Sequence, residues 1–261
     1  MNTASPDPDA PVHLLRHAGW AEIVFNRPHR KNAIQGPFAQ ALLQALKDAE
    51  ADDSLRALLL RGAGGTFCSG LDLAEAQDPA RAHQSAELIA RALRGLYSAP
   101  QVTIARVQGG AIAGGCGLMT ACDMAIVETD AKFGYPEVRR GLVAGLVMTL
   151  LAQQLPERQT RELLLTGEII DGERAEAIGL VNRAVPSDCL DEQVNLMIDK
   201  VLQGSPDALR LTKRFLDELR PRALDDALDR ALALHVEVRR SPDAQEGMRA
   251  FTEKRPPRWQ D

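Results

Sequence analysis

Three stretches of this 261-residue sequence carry residue types and spacings that could do chemistry. In Ala131–Leu142, which reads A-K-F-G-Y-P-E-V-R-R-G-L, Glu137 follows an aromatic residue and a proline and leads into the apolar stretch Leu142–Leu151. A carboxyl beside such a stretch loses contact with water, which raises its pKa toward the range useful for moving protons. The same position also suits an acid that favours a helix start through the helix dipole. The other two stretches, R-G-A-G-G-T-F-C-S-G-L-D-L (61–73) and V-Q-G-G-A-I-A-G-G-C-G-L (107–118), are glycine-bearing exits from predicted strands. In an open parallel sheet, ligands collect at the carboxyl ends of strands, and glycines there let backbone N–H groups come close. Two such loops on neighbouring strands could offer two donors to one oxygen. Tight turns alone would use the same glycines.

Other chemistries lack their residues. The five histidines (His13, His17, His29, His83, His235) are scattered, with no H-E-x-x-H, no G-x-S-x-G elbow and no G-x-x-x-x-G-K-[ST] loop, and no metal site is expected. Gly62-Ala63-Gly64 follows a strand, but the third glycine of a dinucleotide fingerprint falls on Phe67. Cys68, Cys116, Cys122 and Cys189 form no C-x-x-C pair and read as small buried residues in a reducing compartment. A net charge of −5 gives no field to gather nucleic acid or an anionic membrane, so a phosphate-bearing ligand must be met by local cations or backbone amides. No apolar run approaches the roughly 18 residues of a membrane span. The opening M-N-T-A-S-P-D-P-D-A-P lacks the order of a signal peptide, which predicts a cytoplasmic protein with a disordered tail at residues 1–10.

Short strands alternating with helices must position these stretches. Val12–Arg16 and Ala21–Asn26 read as a hairpin, Ala57–Leu60 and Val102–Val107 as buried strands, and Met124–Val127 and Leu180–Val185 as further short strands. Apolar residues recur at three and four through Gly36–Ala51, and again over Gln84–Tyr97, marking two helices. The pattern predicts an α/β fold with parallel strands. After about Gly141 most of the chain has helical period. Asp171, Ser205-Pro206 and Ser241-Pro242 are predicted helix starts. Two regions follow, an α/β core at 11–200 and a helical C-terminal region at 201–261. Leu224, Leu228, Ala231, Leu232 and His235 share one helical face that could pack between subunits or equally on the core.

Taken together, these segments resemble the crotonase superfamily, the enoyl-CoA hydratase/isomerase family. The resemblance runs nearly end to end. It rests on F-N-R-P-H-R-K-N-A (25–33), A-L-L-L-R-G-A-G-G-T-F-C-S-G-L-D-L (57–73), the 107–123 segment ending A-C-D, F-G-Y-P-E-V (133–138), E-L-L-L-T-G-E-I-I (162–170), A-I-G-L-V-N-R-A-V (177–185) and F-T-E-K-R-P-P (251–257). It implies a ββα spiral core, C-terminal helices that assemble trimers or hexamers, and an acyl-CoA thioester as substrate, with CoA part of that substrate and no separate cofactor. It implies an oxyanion hole at the amides of Leu71 and Gly114, with Glu137 as acid and base. CoA contacts are implied at Arg30, Lys31, Ala33, Ser69, Asp72 and Leu73, and at Phe251 and Lys254 near the C-terminus. Asp72 also resembles a loop-holding aspartate of the family, and Asp123 reads as structural. The stretches Ala74–Gln84 and Leu142–Met148 are expected to shape the acyl pocket.

One departure stands out. Family hydratases with two carboxylates carry a glutamate where this chain has Gly117, across the substrate from the position of Glu137. The resemblance therefore implies reversible hydration of a 2-enoyl-CoA by one glutamate, with a Δ3,Δ2-enoyl-CoA isomerase as alternative. A catalytically weak CoA-thioester-binding subunit is the third reading.

Overall fold

The computed structural model describes residue 7 and residues 9–72, 79–219 and 224–258, with backbone alone at 79–83 and 224–225. Most of the expected tail, Leu73, the His83 side chain and most of the expected pocket wall at 74–84 lie outside the described residues.

Six strands form the main sheet. In chain order they are β1 (Val12–His17), β2 (Trp20–Phe25), β3 (Ala57–Gly62), β4 (Val102–Val107), β6 (Met124–Glu128) and β9 (Arg183–Val185), and they lie side by side in that order. β1 and β2 are the predicted antiparallel hairpin, and every later neighbour is parallel. Helices cover both faces, which is why β3 opens on the continuous apolar run Ala57–Leu60. Leu58 and Leu60 of β3 join the larger core, which includes residues of α1 (Gly36–Glu50) and α2 (Pro79–Tyr97). Ala57 and Leu59 turn the other way, onto Leu190, Val194 and Ile198 of α7 (Leu190–Leu202).

A second, small sheet has no counterpart in the sequence-based expectation. It joins β5 (Gly110–Ile112), β7 (Lys132–Gly134) and β8 (Ile169–Ile170), strands of two or three residues. So short a strand shows no alternation, and its pairing is set by distant chain. Between β5 and β6 the glycine-rich stretch forms a helix, α3 (Gly114–Thr120), rather than a turn alone. The chain continues through α4 (Gly145–Gln154), α5 (Glu157–Thr166) and α6 (Gly172–Ala177). The predicted cap holds at α6, where Asp171 Oδ1 accepts from Arg174 N–H at 2.9 Å.

The C-terminal helices are α8 (Pro206–Glu218), α9 (Leu224–Arg239) and α10 (Pro242–Thr252). Ser241 caps α10 through Ala244 N–H at 3.1 Å, whereas Ser205 precedes Pro206 at the start of α8 without a side-chain bond. Of the two packings open to the α9 face, Leu228 and Ala231 take the core, with α9 lying on α4 and α2. Helix α8 differs. None of its residues is buried, and Leu211, Phe215 and Leu216, with Leu219 just beyond its end, stand exposed.

Candidate active site

Two buried side chains tie down the loop that follows β3. Asn32 is fully buried; its Oδ1 accepts from Arg27 N–H at 2.8 Å and its Nδ2 donates to Ala63 O and Thr66 O at 3.0 and 2.7 Å. Arg27 reaches the Ala33 carbonyl and pairs with Asp72 Oδ2 at 3.2 Å. Gln108 adds bonds from its Nε2 to Gly62 O and Gly64 O at 2.6 and 3.0 Å. Asp72 thus holds the loop. Asp123 is structural as well, accepting from Thr103 N–H at 2.7 Å and from Lys213 Nζ at 2.7 Å.

The loop then runs against the strand that precedes α3. Phe67 N–H donates to Gln108 O at 3.0 Å and Ile112 N–H to Cys68 O at 3.0 Å. Gly70 has φ +89°, and a Cβ there would sit 2.7 Å from Ile112 O, so glycine alone fits this approach. On the opposite side, Ile34 N–H donates to Gly70 O and Asp72 N–H donates to Ile34 O, each at 2.8 Å. Backbone direction alternates along a strand, so Leu71 N–H faces away from Ile34, toward α3. Gly114 opens α3, where the first N–H groups of any helix lack an internal partner. Ala113 before it holds φ +52°, a strained value for a residue with a side chain. A Cβ on Gly114 would lie 3.9 Å from Leu71 N, so the two amides are neighbours. Among the described residues, neither amide donates a backbone hydrogen bond.

Glu137 arrives from β7 on a single 3₁₀ turn, Pro136–Arg140, seated on the buried Tyr135 and ended by Gly141 at φ +67°. Its Oε2 is buried and, among the described residues, has no hydrogen-bond partner. Burial lifts the carboxyl to about 7, against smaller opposing effects from its own backbone amide and the Arg140 guanidinium.

Leu71, Gly114 and Glu137 line one cavity of about 530 Å³. Its apolar wall includes Ile89 of α2 and Leu142–Val147, so the expected acyl-pocket stretch is brought to the site. Of the expected CoA contacts, Arg30, Ala33, Ser69, Asp72 and Phe251 border the cavity; Lys31 and Lys254 are exposed and do not. Two further polar groups border it that the sequence did not single out as site residues. Arg140 follows Glu137 by three residues, a spacing that signals proximity on one turn. His235 comes from α9; burial, with some help from Arg239, lowers its imidazole to about 4 and keeps it neutral. Nothing local in the sequence marks it as a cavity residue.

Gly117 does not border the cavity. A Cβ there would collide with Val147 Cγ1 and come within 3.2 Å of Val147 Cβ, and it is Val147 that forms the wall. The resemblance had implied that position 117 faces the substrate; the branched side chain from α4 covers it.

A sheet of mostly parallel strands, with a loop amide and a helix-start amide that donate no backbone hydrogen bond among the described residues and share a cavity with a desolvated carboxyl, defines an α/β protein of the crotonase fold. The chain belongs to the enoyl-CoA hydratase/isomerase family, whose profile matches residues 16–261. It is 40% identical over 248 residues to a Thermus thermophilus protein provisionally named an enoyl-CoA hydratase, covering 92% of this chain and 98% of that one. Among solved structures it is similar to carnitinyl-CoA hydratase from Mycobacterium avium, with a TM-score of 0.86 and 32% identity over 96% of this chain and 98% of that chain. It is also similar to an enoyl-CoA hydratase/isomerase from Xanthobacter autotrophicus Py2, with a TM-score of 0.84 and 31% identity over 94% and 96% of the two chains.

Proposed function

We propose that this protein adds water reversibly to a 2-enoyl-CoA, using Glu137 as its acid and base and the amides of Leu71 and Gly114 as an oxyanion hole. The observation that carries the reading is the Glu137 carboxyl, with its pKa raised to about 7 and its buried Oε2 without a hydrogen-bond partner among the described residues, in one cavity with two amides that donate no backbone hydrogen bond there. The thioester oxygen accepts from both amides. Glu137 carboxylate takes a proton from water as the water oxygen bonds to the β carbon, and the C=C electrons pass to the thioester as an enolate. The carboxylic acid so formed then gives its proton to the α carbon, restoring the carboxylate. Only water is consumed. Each preorganised donor is worth about 2.7–4 kcal/mol where negative charge develops. Arg30 gives the cavity mouth a cation for a CoA phosphate in an acidic protein.

A second reading is favoured by Val147 filling the place beside Gly117. With no carboxylate at position 117, Glu137 can remove a proton from C2 of a 3-enoyl-CoA and return it to C4 of the dienolate, an isomerisation. Mass spectrometry separates the two. Incubation with a panel of straight and branched 2- and 3-enoyl-CoAs yields a product heavier by one water under hydration and of unchanged mass under isomerisation. Binding of those thioesters without turnover would leave the third reading, a CoA-thioester-binding subunit.

We further propose that the exposed apolar residues of α8 are covered by copies of the same chain, as a trimer or hexamer. An amphipathic helix with no buried residue leaves its apolar face for a partner.

A further inference from the structure

Arg140 stands three residues after Glu137 on the same 3₁₀ turn, where side chains eclipse and a cation and a carboxylate can meet. Among the described residues it nevertheless makes no ion pair. Its guanidinium carbon lies 4.6 Å from the ring centroid of Phe251, within the range of a cation–π contact.

The ring is brought there by the C-terminal helix. α10 packs directly on the Glu137 turn: a Cβ on Gly247 would collide with the Arg140 backbone, and one on Gly141 would meet Ala244 N at 2.9 Å. Beyond α10 the chain is fastened by Arg255, which donates to both carboxylate oxygens of Glu246 at 2.7 and 3.2 Å and whose N–H donates to Ala250 O at 3.0 Å. The ring position of Phe251 is therefore set by backbone packing on the turn that carries the acid.

We propose that Phe251 is a positioning residue: by holding the Arg140 guanidinium over its ring, it keeps that cation from pairing with Glu137 and leaves the carboxylate free to take and return protons. The proposal rests on the reading of Glu137 as the proton carrier. A carboxylate paired with arginine becomes a stronger acid and a weaker base. Other groups around Glu137 do not offer such a partner. The Cys116 thiol and Tyr135 phenol are both held neutral by burial. His235 of α9 is neutral, and across the cavity Asp72 is paired with Arg27. On α10, Glu246 is held by Arg255 and Arg258, and Asp243 is exposed. On α5, which also packs on the turn, Glu157 pairs with Arg161 and Glu162 with Arg174. Arg139 of the turn donates to Thr166 O at 2.8 Å. Arg30 borders the same cavity without an ion pair among the described residues, but Arg140 is the cation that shares Glu137's turn.

The test reads Glu137 directly. In protein labelled with ¹³C at glutamate side-chain carboxyls, the Glu137 signal is identified by its loss in Glu137→Gln, and its titration is followed through neutral pH. Phe251→Ala should lower the titration midpoint by about 1–3 pH units, as an arginine partner does. Phe251→Trp, which keeps an aromatic face, should stay near the wild-type midpoint. In Phe251→Ala/Arg140→Gln the fall should disappear. An unchanged midpoint in folded Phe251→Ala overturns the proposal. So does a fall that persists in the double variant, because water entering a loosened cavity, not Arg140, would then be its cause. The titration is independent of turnover, so a chain inactive on every enoyl-CoA would defeat the functional reading without touching this result.

Discussion

Val147 Cγ1 occupies the space that a Cβ on Gly117 would need, and Val147 Cβ stands 3.2 Å from that point. A glycine on α3 and a branched residue on α4 are thus one packing unit. Together they put an apolar wall where a second carboxylate would otherwise face the cavity, and they leave Glu137 to act without it.

That unit predicts the outcome of restoring the carboxylate. Gly117→Glu alone should lose at least the roughly 1–3 kcal/mol of an overpacked core, because Val147 cannot move without disturbing α4. Gly117→Glu/Val147→Gly should regain part of that loss and, with two carboxyls near one another, show a second inflection in its pH–rate profile. Chemical denaturation of the single variant is the check on the geometry. Wild-type stability there would mean that Val147 does not block position 117.

Glu137→Gln keeps the size of the side chain and removes its acid–base capacity. Turnover should fall by about 10²–10⁴-fold while CoA-thioester binding persists. Retention of more than a tenth of the wild-type rate would exclude Glu137 as the proton carrier.

At position 71 the amide, not the side chain, is predicted to matter. Leu71→Ala should leave the rate close to wild type, whereas Leu71→Pro removes the N–H and should cost at least the roughly 10²-fold associated with one oxyanion donor. Proline there deletes no bond to Ile34, since those bonds belong to Gly70 and Asp72. Circular dichroism and thioester binding establish that the proline variant is folded. Equal losses in the two variants would contradict the assignment.

The raised pKa of Glu137 has consequences for both rate and stability. For a reaction begun by the carboxylate, kcat/KM should rise with pH through about 7, and that limb should vanish in Glu137→Gln. A carboxyl whose pKa is raised on folding stabilises the protein while protonated in both states. Its contribution is therefore present below the ordinary value near 4.5 and is lost as pH climbs to about 7. His235 acts in the opposite sense, contributing above its ordinary 6.5 and losing that contribution as pH falls to about 4. The stability difference between wild type and Glu137→Gln, measured at several pH values, isolates the glutamate: wild type should lose ground as pH rises from about 4.5 to 7.

Phe215 of α8 and Leu219, just beyond its end, are both exposed. Phe215→Glu/Leu219→Glu should reduce the mass seen by light scattering at micromolar concentration, with little loss of secondary structure. A wild-type mass equal to one chain would refute assembly through this helix.

Much of this protein was legible from residue order alone. A continuous apolar run marked β3 because both its faces are buried, β-branched residues ending at glycines marked β4, and period-three-and-four patterns marked α1 and α2. Glu137 stood out as a carboxyl beside an apolar stretch and the two loops as glycine-bearing strand exits, while the amides of Leu71 and Gly114 were named only through the resemblance to the family. These are local signals. Tertiary structure decided the rest, because the deciding contacts join residues far apart in the chain. The strands β5, β7 and β8 are too short to carry a period and exist through their partners. The α9 face was correctly read as apolar, but periodicity cannot say whether such a face meets its own core or another chain; Leu228 and Ala231 meet their own core, and it is α8 that is left uncovered. Gly117 read as a missing glutamate, while the reason glycine is required there is a valine thirty residues later. The cation over Phe251, beside an acid from the middle of the sequence, was visible only once the C-terminal helix had packed against the turn that holds both Glu137 and Arg140.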